Sequence, residues 1–66
     1  MSADLVEEVV TVLEEREASW KLRNEEGKEA FFPKKGEHGI TFSRRNVKTK
    51  QAVAEIPEWM LREKGW

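Results

Sequence analysis

Six cations crowd one stretch of this chain: between positions 34 and 50, Lys34, Lys35, Arg44, Arg45, Lys48 and Lys50 face a single acid, Glu37. Ammonium and guanidinium groups neutralise phosphates, and single-stranded nucleic acid also offers base faces to aromatic rings, at about 1–3 kcal/mol per stacked base. Phe31 and Phe32 precede the stretch and Phe42 lies inside it. The first functional expectation is therefore a nucleic-acid contact in which the six cations meet phosphates and Phe31 stacks on a base. Arg44-Arg45 is its most specific pair, because guanidinium grips phosphate or carboxylate with two parallel hydrogen bonds. The plainer account is that these charges solubilise a loop and guard an edge strand. A pI near 5.8 is also far from the basic footprint of most nucleic-acid-binding domains.

The opposite charge gathers at the other end. Up to Ser19, Asp4, Glu7, Glu8, Glu14, Glu15 and Glu17 stand against Arg16 alone, a balance of -5, whereas positions 34–50 carry +5 and the whole chain -1. An acidic face of this kind docks a basic protein surface, imitates nucleic-acid phosphates, or folds back on the basic stretch; a merely solvated face is the plainer account. Trp66, following Gly65, is either a lid on the core or an anchor for a partner, since interface hot spots are enriched in Trp. The alternative function is thus a protein-interaction or inhibitor protein acting on a host or defence complex through Glu7, Glu14, Glu15 and Trp66.

Catalytic constellations are not apparent. There is no cysteine, His38 is the single histidine, and Ser2, Ser19 and Ser43 sit in no nucleophile elbow. Two adjacent residues, Glu37 and His38, do not make a coordination sphere, and no glycine-rich phosphate loop precedes a helix. A non-enzymatic protein without metal or cofactor is expected.

These residues need elements to position them. Leu5, Val9 and Leu13, with Val6 and Val10, follow i, i+4 rows and predict an amphipathic helix over Ala3 to Glu17, capped by Ser2. Trp20 and Leu22 alternate with Lys21 and Arg23, Asn24 to Gly27 supplies turn chemistry, and Lys28 to Phe32 resumes an extended pattern, which together predict a β-hairpin. Ala30 and Phe32 share one face and Phe31 the other, until Pro33 ends the strand or confines it to an edge. Lys34 to Gly39 reads as a flexible loop, Ile40 to Ser43 as a third strand, and Ala52 to Ile56 as a fourth. Pro57 opens a short helix to Lys64, with Gly65 as its left-handed cap. The expected class is α+β: an N-terminal helix on an antiparallel sheet of three or four strands, its Leu5/Val9/Leu13 stripe covering Trp20, Leu22, Ala30, Phe32 and Ile40, with a short C-terminal helix.

Sixty-six residues make one domain with a thin core, so a homodimer that adds buried area is a natural expectation. No run approaches the roughly 20 apolar residues of a membrane span and no basic signal-peptide start is present, which together with the lack of cysteine suggests a cytoplasmic protein.

The ending Ile56-Pro57-Glu58-Trp59-Met60-Leu61-Arg62-Glu63-Lys64-Gly65-Trp66 resembles that of small phage and prophage proteins, in which Pro-Glu-Trp-Leu is followed by Lys-Gly-Leu. The hairpin turn Asn24 to Glu29 and the element Phe32-Pro33-Lys34 are similar to theirs as well, so the likeness runs from about Trp20 to Trp66. Met60 and Trp66 stand where leucines are usual. The resemblance implies a phage setting, a compact α+β fold and an accessory binding role, and it assigns no activity to any residue.

Overall fold

A computed structural model describes residues 4–36 and 38–66. Five strands and one helix follow in order: β1 (Leu5–Glu15), β2 (Ser19–Asn24), β3 (Glu29–Pro33), β4 (Thr41–Asn46), β5 (Gln51–Pro57) and α1 (Glu58–Lys64). All strand pairs are antiparallel, and the sheet order is β3-β2-β1-β5-β4.

The expected N-terminal helix is thus absent; its place is taken by β1, the central strand of a mostly-β domain. The residues explain the error. Val6 and Val10 satisfy a helical i, i+4 row, but they also lie on an even-numbered row with Val12, and that period of two decides the structure. Val10 and Val12 are buried and Val6 packs against the core, whereas Leu5 and Val9 of the supposed core stripe are 59% and 46% exposed. Four valines and Thr11 within eight residues suit a pleated strand better than a helix, where branching at Cβ restricts χ1. The sheet has five strands rather than three or four, because β1 supplies one.

The hairpin of β2 and β3 forms where the sequence places it. Asn24 Oδ1 accepts hydrogen bonds from the backbone N–H of Glu26 and Lys28, each at 2.9 Å, and Gly27 takes a φ of 85°. Pro33 ends β3, which is an edge strand. The basic stretch is more ordered than its composition suggests. β4 runs to Asn46, a turn follows in which Asn46 Oδ1 accepts from Lys48 N–H and Thr49 N–H, and Lys50 closes it with a φ of 64°. Of the expected flexible loop, Glu37 lies outside the described residues. On its far side, Gly39 is pressed so close that a Cβ there would meet the Lys34 carbonyl oxygen at 2.9 Å.

Two bulges bend the sheet. Leu13 is extra in β1 opposite β2, and Ser43 is extra in β4 opposite β5. Bulges sharpen strand twist, and the sheet curls until its two edges approach. Ile40 N–H donates to the Pro33 carbonyl at 3.0 Å, and the Trp20 and Phe42 rings meet edge to face at 5.1 Å. Val10, Val12, Trp20, Leu22, Phe32, Ile40, Ala52, Ala54 and Ile56 fill the concave side, and α1 adds Met60 and Leu61. Gly65 is the left-handed cap at φ 69°, and Trp66 then folds back on Phe32 with ring centroids 4.8 Å apart. Lys28 Nζ donates to the Gly65 carbonyl at 3.0 Å, which ties this end to the hairpin turn.

Candidate functional site

Cations lie beside aromatic rings at several places on this framework, and two of these places bear on function. The first lies on the seam where the sheet curls closed. Glu15, at the end of β1, has Lys34 Nζ at 2.5 Å and Arg45 Nη2 at 3.7 Å. The same cations lie over the Trp20 ring, 4.5 Å and 4.9 Å from its centroid. The hydrogen bond from Lys34, helped by the positive charges of Lys34 and Arg45, holds the Glu15 carboxyl below the ordinary range. The acidic and basic parts of the chain do meet here, and three of the residues proposed for external partners are engaged with one another.

The other cations go elsewhere. Arg44, facing away from Arg45 by strand alternation, pairs with Val53 on the outer face of the sheet. Lys48 and Lys50 lie at the β4–β5 turn, and no ion pair among the described residues engages them or Arg44. Lys35 sits beside α1. Phe31 is on the outer face of β3, 40% exposed, with the Arg16 guanidinium 4.7 Å from its ring centroid. The basic stretch is therefore dispersed over several surfaces. Among the acidic candidates, Glu14 pairs loosely with Arg16 at 3.4 Å, and Glu7 stands on the outer face opposite Glu55. Trp66 is a lid: half-buried, packed on Phe32, its backbone N–H bonded to the Leu61 carbonyl and its indole Nε1 buried without a partner.

The second place, at the helical end, was missed in the sequence. A cleft of about 340 Å³ is lined by Pro33, Lys35, His38, Trp59, Met60, Glu63 and Lys64. Because α1 turns Met60 and Leu61 into the core, the neighbouring Trp59 points away and is 41% exposed, with the His38 ring edge-on at 5.2 Å. A two-turn helix buries one narrow stripe, and the sequence alone did not say which of Trp59, Met60 and Leu61 would lie on it. The cleft holds an apolar floor with charges at its rim: Lys35 and Lys64 on one side of the balance, Glu63 on the other. It can seat a side chain or a ring, and its described lining residues include no serine, threonine or cysteine. Among the described residues no group of three or more His, Cys, Asp or Glu is placed to hold a metal ion.

No family model, curated protein or solved structure matches this chain. The reading of the cleft accordingly rests on its geometry. No helix among the described residues is long and apolar enough to cross a membrane.

Proposed function

We propose that this is a non-enzymatic interaction module that docks a protein partner at the helical end, with Trp59 as the anchor. The observation that carries this reading is a large aromatic side chain left 41% exposed in a cleft, on a molecule that has buried Trp20 and folded Trp66 onto its core. An apolar centre with a charged rim is the anatomy of an interface hot spot, and Trp is among the residues most enriched there. Lys35 and Lys64 suit a partner segment that offers an apolar side chain to Trp59 flanked by carboxylates. Bait protein bearing Trp59→Ala should keep its fold and lose the partner captured by wild-type bait, whereas Arg44→Ala with Lys48→Ala should keep it. A partner retained equally by Trp59→Ala removes the reading.

One observation favours a second reading, contact with single-stranded nucleic acid. Arg44, Lys48 and Lys50 are exposed and lie outside every ion pair among the described residues. Three phosphate contacts to a single strand give log K a slope near -2 against log salt, at about 0.7 per phosphate. Titrating the protein with oligonucleotides at two salt concentrations checks that slope, and its absence removes the second reading.

A further inference from the structure

The outer, convex face of the sheet carries a pattern that the helical end does not explain. Along its crest, formed by the inner strands β1 and β5, Val9 stands opposite Val53 and Thr11 opposite Gln51. The flanks differ: Arg23 of β2 lies beside Thr11, Arg44 of β4 lies beside Val53, and Lys48 and Lys50 sit in the turn that leads into Gln51. All four cations are exposed, and no ion pair or hydrogen bond among the described residues engages their charged groups or the Gln51 side-chain amide. Two shallow depressions, of about 270 and 320 Å³, meet on the crest, where Val9 and Gln51 line both; Arg44 lines the first and Arg23 the second. A neutral crest thus runs between cationic flanks. Duplex DNA has the complementary order, with phosphates along the rims of each groove and base edges, carrying donors, acceptors and thymine methyl groups, on its floor.

We infer that this face enters the major groove of B-form DNA, with Gln51 and Thr11 at the base edges, Val9 and Val53 against thymine methyl groups, and Arg23 and Arg44 on the phosphates of opposite rims. β2 and β4 are three strand spacings apart, about 14 Å, so their arginines straddle a groove about 12 Å wide. The convexity lets the crest reach the floor while the flanks stay at the rims. Glutamine is suited to the floor because its amide pairs with adenine through two hydrogen bonds. A single strand fits this crest less well, since it wants open aromatic faces. No aromatic ring lies between Arg23 and Arg44, and Phe31, farther out on the same face, already has the Arg16 guanidinium on its ring. Duplex RNA fits less well too, because its major groove is too deep and narrow for side chains to read. The Glu7–Glu55 row, next along the strands from Val9–Val53, repels phosphates and so fixes which end of the face the duplex crosses. Glu25 lines the depression beside Arg23, which makes the β4 flank the stronger contact. The inference rests on the nucleic-acid reading for Arg44, Lys48 and Lys50 and departs from it in the form of the nucleic acid and in the crest that reads it.

Fluorescence anisotropy with the full chain tests the inference, the probes being short end-labelled DNA duplexes of random sequence, their separated strands, and RNA duplexes of the same length. The DNA duplex should bind most tightly, and four phosphate contacts at about 0.9 each should weaken it roughly a hundredfold between about 50 and 200 mM salt. Arg44→Ala, with an unchanged circular dichroism spectrum, should bind less tightly and lose about one unit of the salt slope. Gln51→Ala should bind the random pool nearly as wild type does but flatten the sequence preference recovered by selection from that pool. Trp59→Ala should match wild type, since its cleft shares no lining residue with this face. No binding to any probe at about 50 mM salt overturns the inference and the nucleic-acid reading together. Single strands bound as tightly as the duplex overturn the inference alone, and so does duplex binding whose salt slope Arg44→Ala and Arg23→Ala both leave unchanged.

Discussion

Trp20 and Trp59 each lie beside cations, yet their surroundings differ in one respect that decides what each can do. At the seam, Lys34 and Arg45 lie over Trp20 and converge on the Glu15 carboxylate, so charge, ring and strand ends satisfy one another and Trp20 is only 7% exposed. At the helical end, Lys35 and Lys64 rim a cleft whose aromatic floor, Trp59, stays open. An aromatic residue among lysines and arginines is therefore not a recognition site by composition alone. The seam turns its cations onto Glu15 and covers its ring, whereas the cleft leaves Trp59 uncovered.

The largest expected effect that would break this comparison is on stability. Trp20→Ala should cost about 3–5 kcal/mol, the usual loss for a large buried aromatic, which is comparable to the whole stability of so small a domain. Trp59→Ala, made on the exposed side of α1, should stay within about 1 kcal/mol of wild type. Urea denaturation of both variants measures the contrast, and equal losses would erase it.

A smaller effect sharpens it. The Glu15 carboxyl is held below its ordinary value of 4.5, so the unfolded chain binds the proton more readily than the folded one. The stability contributed by the pair is present above that ordinary value and is lost as pH falls through it towards the folded value. Glu15→Gln should lower the melting temperature slightly at neutral pH, and its deficit against wild type should shrink steadily below pH 4.5. Because the group is exposed, salt should narrow the same gap. A deficit independent of pH would mean that Glu15 acts by packing rather than by charge.

The smallest effect concerns the third tryptophan. Trp66 keeps an indole N–H buried without a partner, a burden that offsets part of what its ring contributes on Phe32. Trp66→Phe should therefore change stability by less than about 1 kcal/mol, whereas Trp66→Ala, which uncovers Phe32, should cost several times more. Thermal melts of the two variants give the comparison.

What was legible in the sequence was local. The Asn24 to Gly27 turn fixed the β2–β3 hairpin through Asn24 and a positive-φ glycine, Pro33 marked an edge, and Gly65 the helix cap. The first strand was misread because Val6 and Val10 fit both periods and because Leu5, Val9 and Leu13 formed a helical stripe that the fold turns mostly to the surface. The basic stretch read as one patch since sequence neighbours were taken as spatial neighbours. A single extra residue, Ser43, sends Arg44 to the outer face and Arg45 to the seam. The partnership of Glu15 with Lys34 and Arg45 joins residues 19 and 30 positions apart, by way of a curl that no local pattern encodes. Trp59 was hidden for a related reason: three adjacent apolar residues competed for a helix stripe wide enough for two.

The central position of β1 also governs how the molecule is made. The first strand of the chain pairs along seven residues with the last, Leu5 to Thr11 against Pro57 to Gln51, so the middle of the sheet is the contact with the longest loop to close. Local hairpins form in about 1–10 µs, but ordering this pair requires the intervening chain to give up its freedom before the valines of β1 meet Ala52, Ala54 and Ile56. A sheet built around so distant a pairing is expected to fold slowly for its length, which stopped-flow refolding would measure.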